Sequence, residues 1–135
     1  MRKSLIEAVK FGAVGVINTA IGLSVIYALT YFTDISYFLA NFAGYAVGLA
    51  VSYQLNKIWT FSAKSSRTRY QFAAYIIAAA CCYVANLAVL YMSVRFVGLN
   101  EYLSQLSGIA TYSVSMFLIS KFIVFAPTDR KELSQ

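Results

Sequence analysis

Asn56-Lys57-Ile58-Trp59-Thr60-Phe61 closes one long apolar run, and Ser120-Lys121-Phe122-Ile123-Val124-Phe125 closes another, with the two lysines 64 residues apart. Apart from these lysines the long runs carry almost no charge. A cation kept twice at the rim of an apolar segment, at equivalent places, predicts an integral membrane protein that handles an anionic headgroup. Four runs, about 11–31, 38–55, 70–94 and 102–122, approach the roughly 20 mainly apolar residues that span a bilayer. The fold class expected is therefore all-α and integral to the membrane, with four transmembrane helices and a short polar tail at 127–135. The chain is 60% hydrophobic and 12% charged, about half the charge fraction of soluble domains. It is expected to form a single transmembrane domain with no soluble part. The first run is too long for a secretory signal, and no small-residue cleavage site follows it.

Charge sets the expected orientation. Arg2, Lys3 and Lys10 precede the first run. Lys57, Lys64, Arg67 and Arg69 lie around the middle loop, and Lys121, Arg130 and Lys131 follow at the end. The other two loops hold only Asp34, Arg95 and Glu101. Both termini and the middle loop are expected on the cytoplasmic side by the positive-inside rule. The net charge of +6 then needs no nucleic acid; anionic membrane lipids attract such loops. Aromatics at both rims, such as Tyr31, Phe38, Trp59 and Tyr70, form the expected interfacial belts. Cys81 and Cys82 are adjacent and lack metal-ligand spacing, so they read as small buried apolar groups.

The offset of 64 recurs elsewhere. Tyr37-Phe38-Leu39-Ala40-Asn41-Phe42-Ala43-Gly44 aligns with Glu101-Tyr102-Leu103-Ser104-Gln105-Leu106-Ser107-Gly108, and Leu23, Val25 and Tyr27 align with Leu87, Val89 and Tyr91. Two helices per repeat predicts two parallel two-helix repeats, related by an axis along the membrane normal. Small residues at helix-packing spacing mark each helix: Gly12, Gly15, Thr19 and Gly22; Ala40, Gly44, Gly48 and Ser52; Ala74, Ala78, Cys82 and Ala85; Ser104, Gly108, Thr111 and Ser115. In lipid such residues let backbones approach closely. Four helices enclose little space, which makes a homodimer plausible.

Catalysis has little support. The chain has no histidine. Its acids are Glu7, Asp34, Glu101, Asp129 and Glu132, and none lies deep in an expected helix. No metal site, cofactor site or P-loop is expected. A proton-coupled multidrug exporter would place a carboxylate in the first helix, where only Asn18 and Thr19 are found. An ionisable group inside the bilayer would be the default functional signal. What remains is a ladder of neutral amides: Asn18, Asn41, Gln54, Asn56, Asn86 and Gln105. Any one of these would more simply bond helices together, at about 0.6 kcal/mol per bond. Together they would line a polar cleft for a headgroup. Lys57 and Lys121 would either snorkel or capture a phosphate, and Trp59 would stack on a sugar.

These residues resemble the GtrA family of small four-helix membrane proteins, over about residues 8–126. The resemblance is carried by Phe11-Gly12-Ala13-Val14-Gly15-Val16-Ile17-Asn18-Thr19, by Asn41-Phe42-Ala43-Gly44, and by the two helix endings quoted first. One departure is Lys57, where the family often has arginine; charge is kept but the bidentate fork is lost. The resemblance implies movement of a polyprenyl-phosphate-linked sugar, typically undecaprenyl-phosphate-glucose, across the bacterial cytoplasmic membrane for cell-surface polysaccharide modification. It implies partner glycosyltransferases that make and use that lipid. The alternative is a membrane adaptor that positions such a glycosyltransferase without transport; there the basic loop at 64–69 would matter more than the amides.

Overall fold

The computed structural model describes residues 2–63 and 68–126. The expected polar tail and the loop residues Lys64 and Arg67 lie outside the described residues. All regular structure among the described residues is helical. The chain divides into two compact units, Met1–Ser62 and Ala63–Gln135, each a helical hairpin.

Hairpin 1 pairs α1, Arg2–Phe32, with α2, Tyr37–Leu55. Residues 33–36 connect them, and Ser36 caps α2 by accepting from the Leu39 amide at 3.3 Å, the N-cap role that serine favours. Hairpin 2 pairs α3, Thr68–Met92, with α4, Glu101–Ile119. Its cap is Asn100, which stands 64 residues after Ser36 and accepts from the Leu103 amide at 2.9 Å. Before that turn α3 loosens into a π-helical segment, Ser93–Val97, and ends on Gly98 at φ 72°, a left-handed conformation that glycine adopts without a Cβ clash. α1 has no such segment.

Three helices are long and apolar enough to cross a membrane: Arg2–Phe32, Thr68–Val97 and Tyr102–Val124. The chain is thus a multi-pass membrane protein in composition and length. α2 is 19 residues long and carries Asn41, Tyr45, Tyr53 and Gln54 among its apolar residues. It nevertheless packs along α1 after a four-residue connection, so it returns through the same depth. α1 begins at Arg2 rather than near residue 11. The extra turns bring Lys10 and Glu7 inside the helix.

The buried face of α2 runs Ala40, Gly44, Gly48, Ser52, Asn56 and Thr60, always four residues apart. In an α-helix a step of four overshoots one turn by roughly 40°, so this row would drift off its partner. Both second helices answer by widening into π-helical ends, Asn56–Thr60 and Ser120–Val124. The closing bonds run from the Phe61 amide to the Asn56 carbonyl at 2.9 Å and from the Phe125 amide to the Ser120 carbonyl at 2.8 Å. An i→i+5 turn rotates less per residue, which keeps Asn56 with Thr60, and Ser120 with Val124, on the packed face. The small-residue row expected for α2 is therefore its packing face. The row expected for α1 is not: Gly12 and Gly15 face open space, and only Gly22 meets α2. Glu7, Val14 and Gly22 are buried instead.

Candidate functional site

Several contacts of hairpin 1 recur in hairpin 2 at the offset of 64. Phe11 meets Phe61 with ring centroids 6.3 Å apart, and Tyr75 meets Phe125 at 5.9 Å. Lys57 Nζ stands 5.8 Å from the Tyr53 ring centroid, and Lys121 Nζ stands 5.7 Å from that of Phe117. Lys121 also lies 5.5 Å from the Phe122 ring. Both lysines are half-buried. Their ammonium groups stand over ring faces, which attract a cation by the ring quadrupole. These are cations at equivalent ends of two hairpins.

The expected amides divide into two groups. Asn18 lies just past the middle of α1, not in its first half, because α1 starts earlier than expected. A Cβ on Gly48 of α2 would fall on its side-chain oxygen. Asn86 of α3 meets Gly108 of α4 in the same way. Each hairpin thus accommodates one asparagine of its first helix against one glycine of its second. The layers differ: Gly108 aligns with Gly44, and Gly44 packs on Gly22 and Ile26. The Asn18 side-chain oxygen is buried with no hydrogen-bond partner among the described residues. In lipid an unsatisfied polar atom is costly, and this one is enclosed against Gly48 of α2.

Asn56 is placed differently. It is 1% exposed, donates to the Ser52 hydroxyl at 3.3 Å and accepts from the Thr60 hydroxyl at 2.9 Å. Its amide stitches one helix face, which is a packing role. Asn41 is half-buried and Gln105 exposed, near the starts of α2 and α4. Trp59 is 43% exposed.

Three residues carried no clear signal in the sequence. Glu7 is an acid inside α1 and only 9% exposed; Gln71, at the equivalent position of α3, is also 9% exposed. Glu7 falls in the second turn of α1 because the helix starts at Arg2 rather than near residue 11, and among the described residues no acid lies deep in a helix. Equal spacing from Phe11 and Tyr75 is the one faint mark of the pair. Lys10 is the third: its ammonium donates to the Trp59 carbonyl at 3.2 Å and stands 5.6 Å from the indole centroid. Among the described residues, no group of three or more metal-ligating side chains gathers.

Within each hairpin this arrangement suits an anion at the lysine-bearing end and a neutral polar group deeper in. Comparison with known proteins agrees with that chemistry. Residues 10–125 match the family model described as GtrA/DPMS, transmembrane domain. The chain is 31% identical over 121 residues to the bactoprenol-linked glucose translocase of Shigella phage SfII, covering 87% of this chain and 92% of the relative. It is 31% identical over 120 residues to the prophage bactoprenol-linked glucose translocase homolog of Escherichia coli K12, covering 86% and 92%. The translocase of Salmonella phage P22 is 29% identical over 120 residues, with the same coverage.

Proposed function

Because the chain belongs to the GtrA/DPMS transmembrane-domain family, we propose that it flips a polyprenyl-phosphate-linked sugar, such as undecaprenyl-phosphate-glucose, between membrane leaflets. The observation that carries this is the pair of ring-backed lysines, Lys57 and Lys121, at equivalent hairpin ends. It is joined by relatives named as translocases of a bactoprenol-linked sugar along nearly their whole length.

The phosphodiester of such a lipid carries one negative charge. An uncompensated charge at the bilayer centre costs at least about 2.5–3.5 kcal/mol, so capture by a cation at the rim lowers the barrier to entry. The lysine-bearing ends face the cytoplasm in this reading, in keeping with the positive-inside rule. The sugar hydroxyls then replace water with amide groups, Asn18 and Asn41 in hairpin 1 and Asn86 and Gln105 in hairpin 2, while the polyprenyl tail stays in lipid. Asn56 supports the end of α2 rather than touching the substrate. The protein makes and breaks no covalent bond and needs no metal or cofactor. It resides in the bacterial cytoplasmic membrane, between a glycosyltransferase that loads the carrier and one that uses it outside, and works as a homodimer.

Leaflet-resolved transport in proteoliposomes tests the reading. The parent chain should equilibrate undecaprenyl-phosphate-glucose across the bilayer, and the double variant Lys57→Ala, Lys121→Ala should slow it by about tenfold or more, the loss of a charge-assisted contact. Parent-rate transport by the double variant would remove the lysines from the mechanism. No transport by the parent, combined with co-purification of a polyprenyl-phosphate glycosyltransferase, would favour the adaptor role.

A further inference from the structure

We propose that Lys10 and Trp59 form a capture site for a sugar-bearing phosphodiester headgroup at the Lys57 end of hairpin 1, and that hairpin 2 has no equivalent of it. The proposal rests on the lipid-linked-sugar reading above and assigns the headgroup to two named side chains.

The repeat separates what the fold requires from what it does not. Ring-backed Lys57 and Lys121 occur in both hairpins, so their placement follows from the shared architecture. The Lys10–Trp59 pair occurs in one. The residues 64 positions later are Ala74 and Ile123, which offer neither a cation nor an indole. Capping of the π-helical end does not account for Lys10. The equivalent end in hairpin 2 closes with the same i→i+5 bond, 2.8 Å from the Phe125 amide to the Ser120 carbonyl, and Ala74 has no donor to lend it.

The geometry suits a phosphate. A lysine ammonium has three donors. One is engaged on the Trp59 carbonyl, which fixes the direction of the side chain, and two remain for phosphate oxygens. An anchored cation loses less freedom on binding than a swinging one. The indole beside it is 43% exposed, so an apolar sugar face has a surface to lie on. Cation, carbonyl anchor and ring occupy one hairpin end, which is what a phosphate followed by a sugar requires. The same phosphodiester chemistry is offered by a polyprenyl-phosphate sugar and by phosphatidylglycerol, and the experiment separates them.

Trp59 is the chain's single tryptophan, so tryptophan emission, excited selectively over the 11 tyrosines, reports on this site alone. The full chain is placed in phosphatidylcholine nanodiscs and titrated with undecaprenyl-phosphate-glucose, with undecaprenyl phosphate, or with phosphatidylglycerol. The expected result is a saturable emission change with undecaprenyl-phosphate-glucose, a weaker one with undecaprenyl phosphate, and a midpoint at least about tenfold higher with phosphatidylglycerol. Lys10→Gln should raise the undecaprenyl-phosphate-glucose midpoint by about tenfold or more. Lys10→Arg, which keeps charge and donors, should restore it to within about threefold. Lys3→Gln, on an exposed position of the same helix, should leave it unchanged. A parent midpoint in Lys10→Gln overturns the proposal. So does failure of Lys10→Arg with retained helicity, or an equal response to phosphatidylglycerol. Transport measured in parallel separates the two ideas: transport with an unresponsive Trp59 overturns this site alone, and a saturating Trp59 without transport overturns the translocase reading alone.

Discussion

Hairpin 1 sets Phe11 on Phe61, Gly22 on Gly44 and Lys57 over Tyr53; hairpin 2 sets Tyr75 on Phe125, Asn86 on Gly108 and Lys121 over Phe117. The positions coincide at an offset of 64, while the chemistry at them does not. Lys10, Asn18, Asn56 and Thr60 in the first hairpin become Ala74, Cys82, Ser120 and Val124 in the second. A hairpin of this kind is therefore specified by close backbone approach, ring contacts at one end and a widened last turn. Its polar groups can be exchanged without altering that scheme. Among the described residues the Lys10–Trp59 contact belongs to hairpin 1 alone, which is where the proposed capture chemistry should concentrate.

The largest effect expected from breaking this comparison is at the ring pairs. Phe125 is 5% exposed, whereas Phe61 is only half-buried. Phe125→Ala should cost about 3 kcal/mol or more through the cavity it leaves, and Phe61→Ala about half as much. Equilibrium unfolding in mixed micelles compares them, and equal losses would show that the two ends are packed alike.

Next come the glycines. A Cβ at Gly44 would sit 2.8 Å from the Gly22 carbonyl oxygen, which is backbone, and would also strike Ile26. At Gly108 the principal obstacle is the far end of the Asn86 side chain, which can turn aside. Gly44→Ala should cost about 2 kcal/mol, within the overpacking range, and Gly108→Ala clearly less. The pair Asn86→Gly, Gly108→Ala should recover most of the smaller loss, as read by the same unfolding curve.

A smaller and opposite pair of effects is expected at the first π-helical residue. Asn56→Leu removes the acceptor of the Thr60 hydroxyl and a donor to the Ser52 hydroxyl and should cost about 1–2 kcal/mol. The Ser120 hydroxyl is buried with no partner among the described residues, so Ser120→Ala should be neutral or slightly stabilising. A loss at Ser120 as large as that at Asn56 would show that both hairpins depend on a polar stitch. Smallest of all, Lys57→Met and Lys121→Met should each change stability by less than about 1 kcal/mol, the range of an exposed cation–π contact, despite the transport defect expected when both lysines are lost.

Several of these features were legible in the chain. The endings at Lys57 and Lys121 and the row Ala40, Gly44, Gly48 and Ser52 stood where the contacts later placed them. Ser36 and Asn100, both favoured cap residues, stood just before α2 and α4. Glu7 and Lys10 were not legible as helix residues, because flanking charge ordinarily marks the outside of a membrane helix. The row Gly12, Gly15 and Thr19 suggested the wrong face. α1 is apolar on all sides, so its small residues mark more than one possible seam, and only the matching spacing on α2 selects among them.

The sequence by itself determined the membrane class, the helical content, the offset of the repeat and the family. Each follows from composition, from run length or from residues quoted in order. Tertiary structure alone decided that Asn18 and Asn86 lie against glycines, that Asn56 turns inward to bond its own helix, and that Lys10 reaches Trp59 across the hairpin. In water, burial of apolar surface orients a helix and its pattern can be read. In lipid the tails are as apolar as the helix, so fit between backbones chooses the face, and fit belongs to a pair of helices rather than to either sequence.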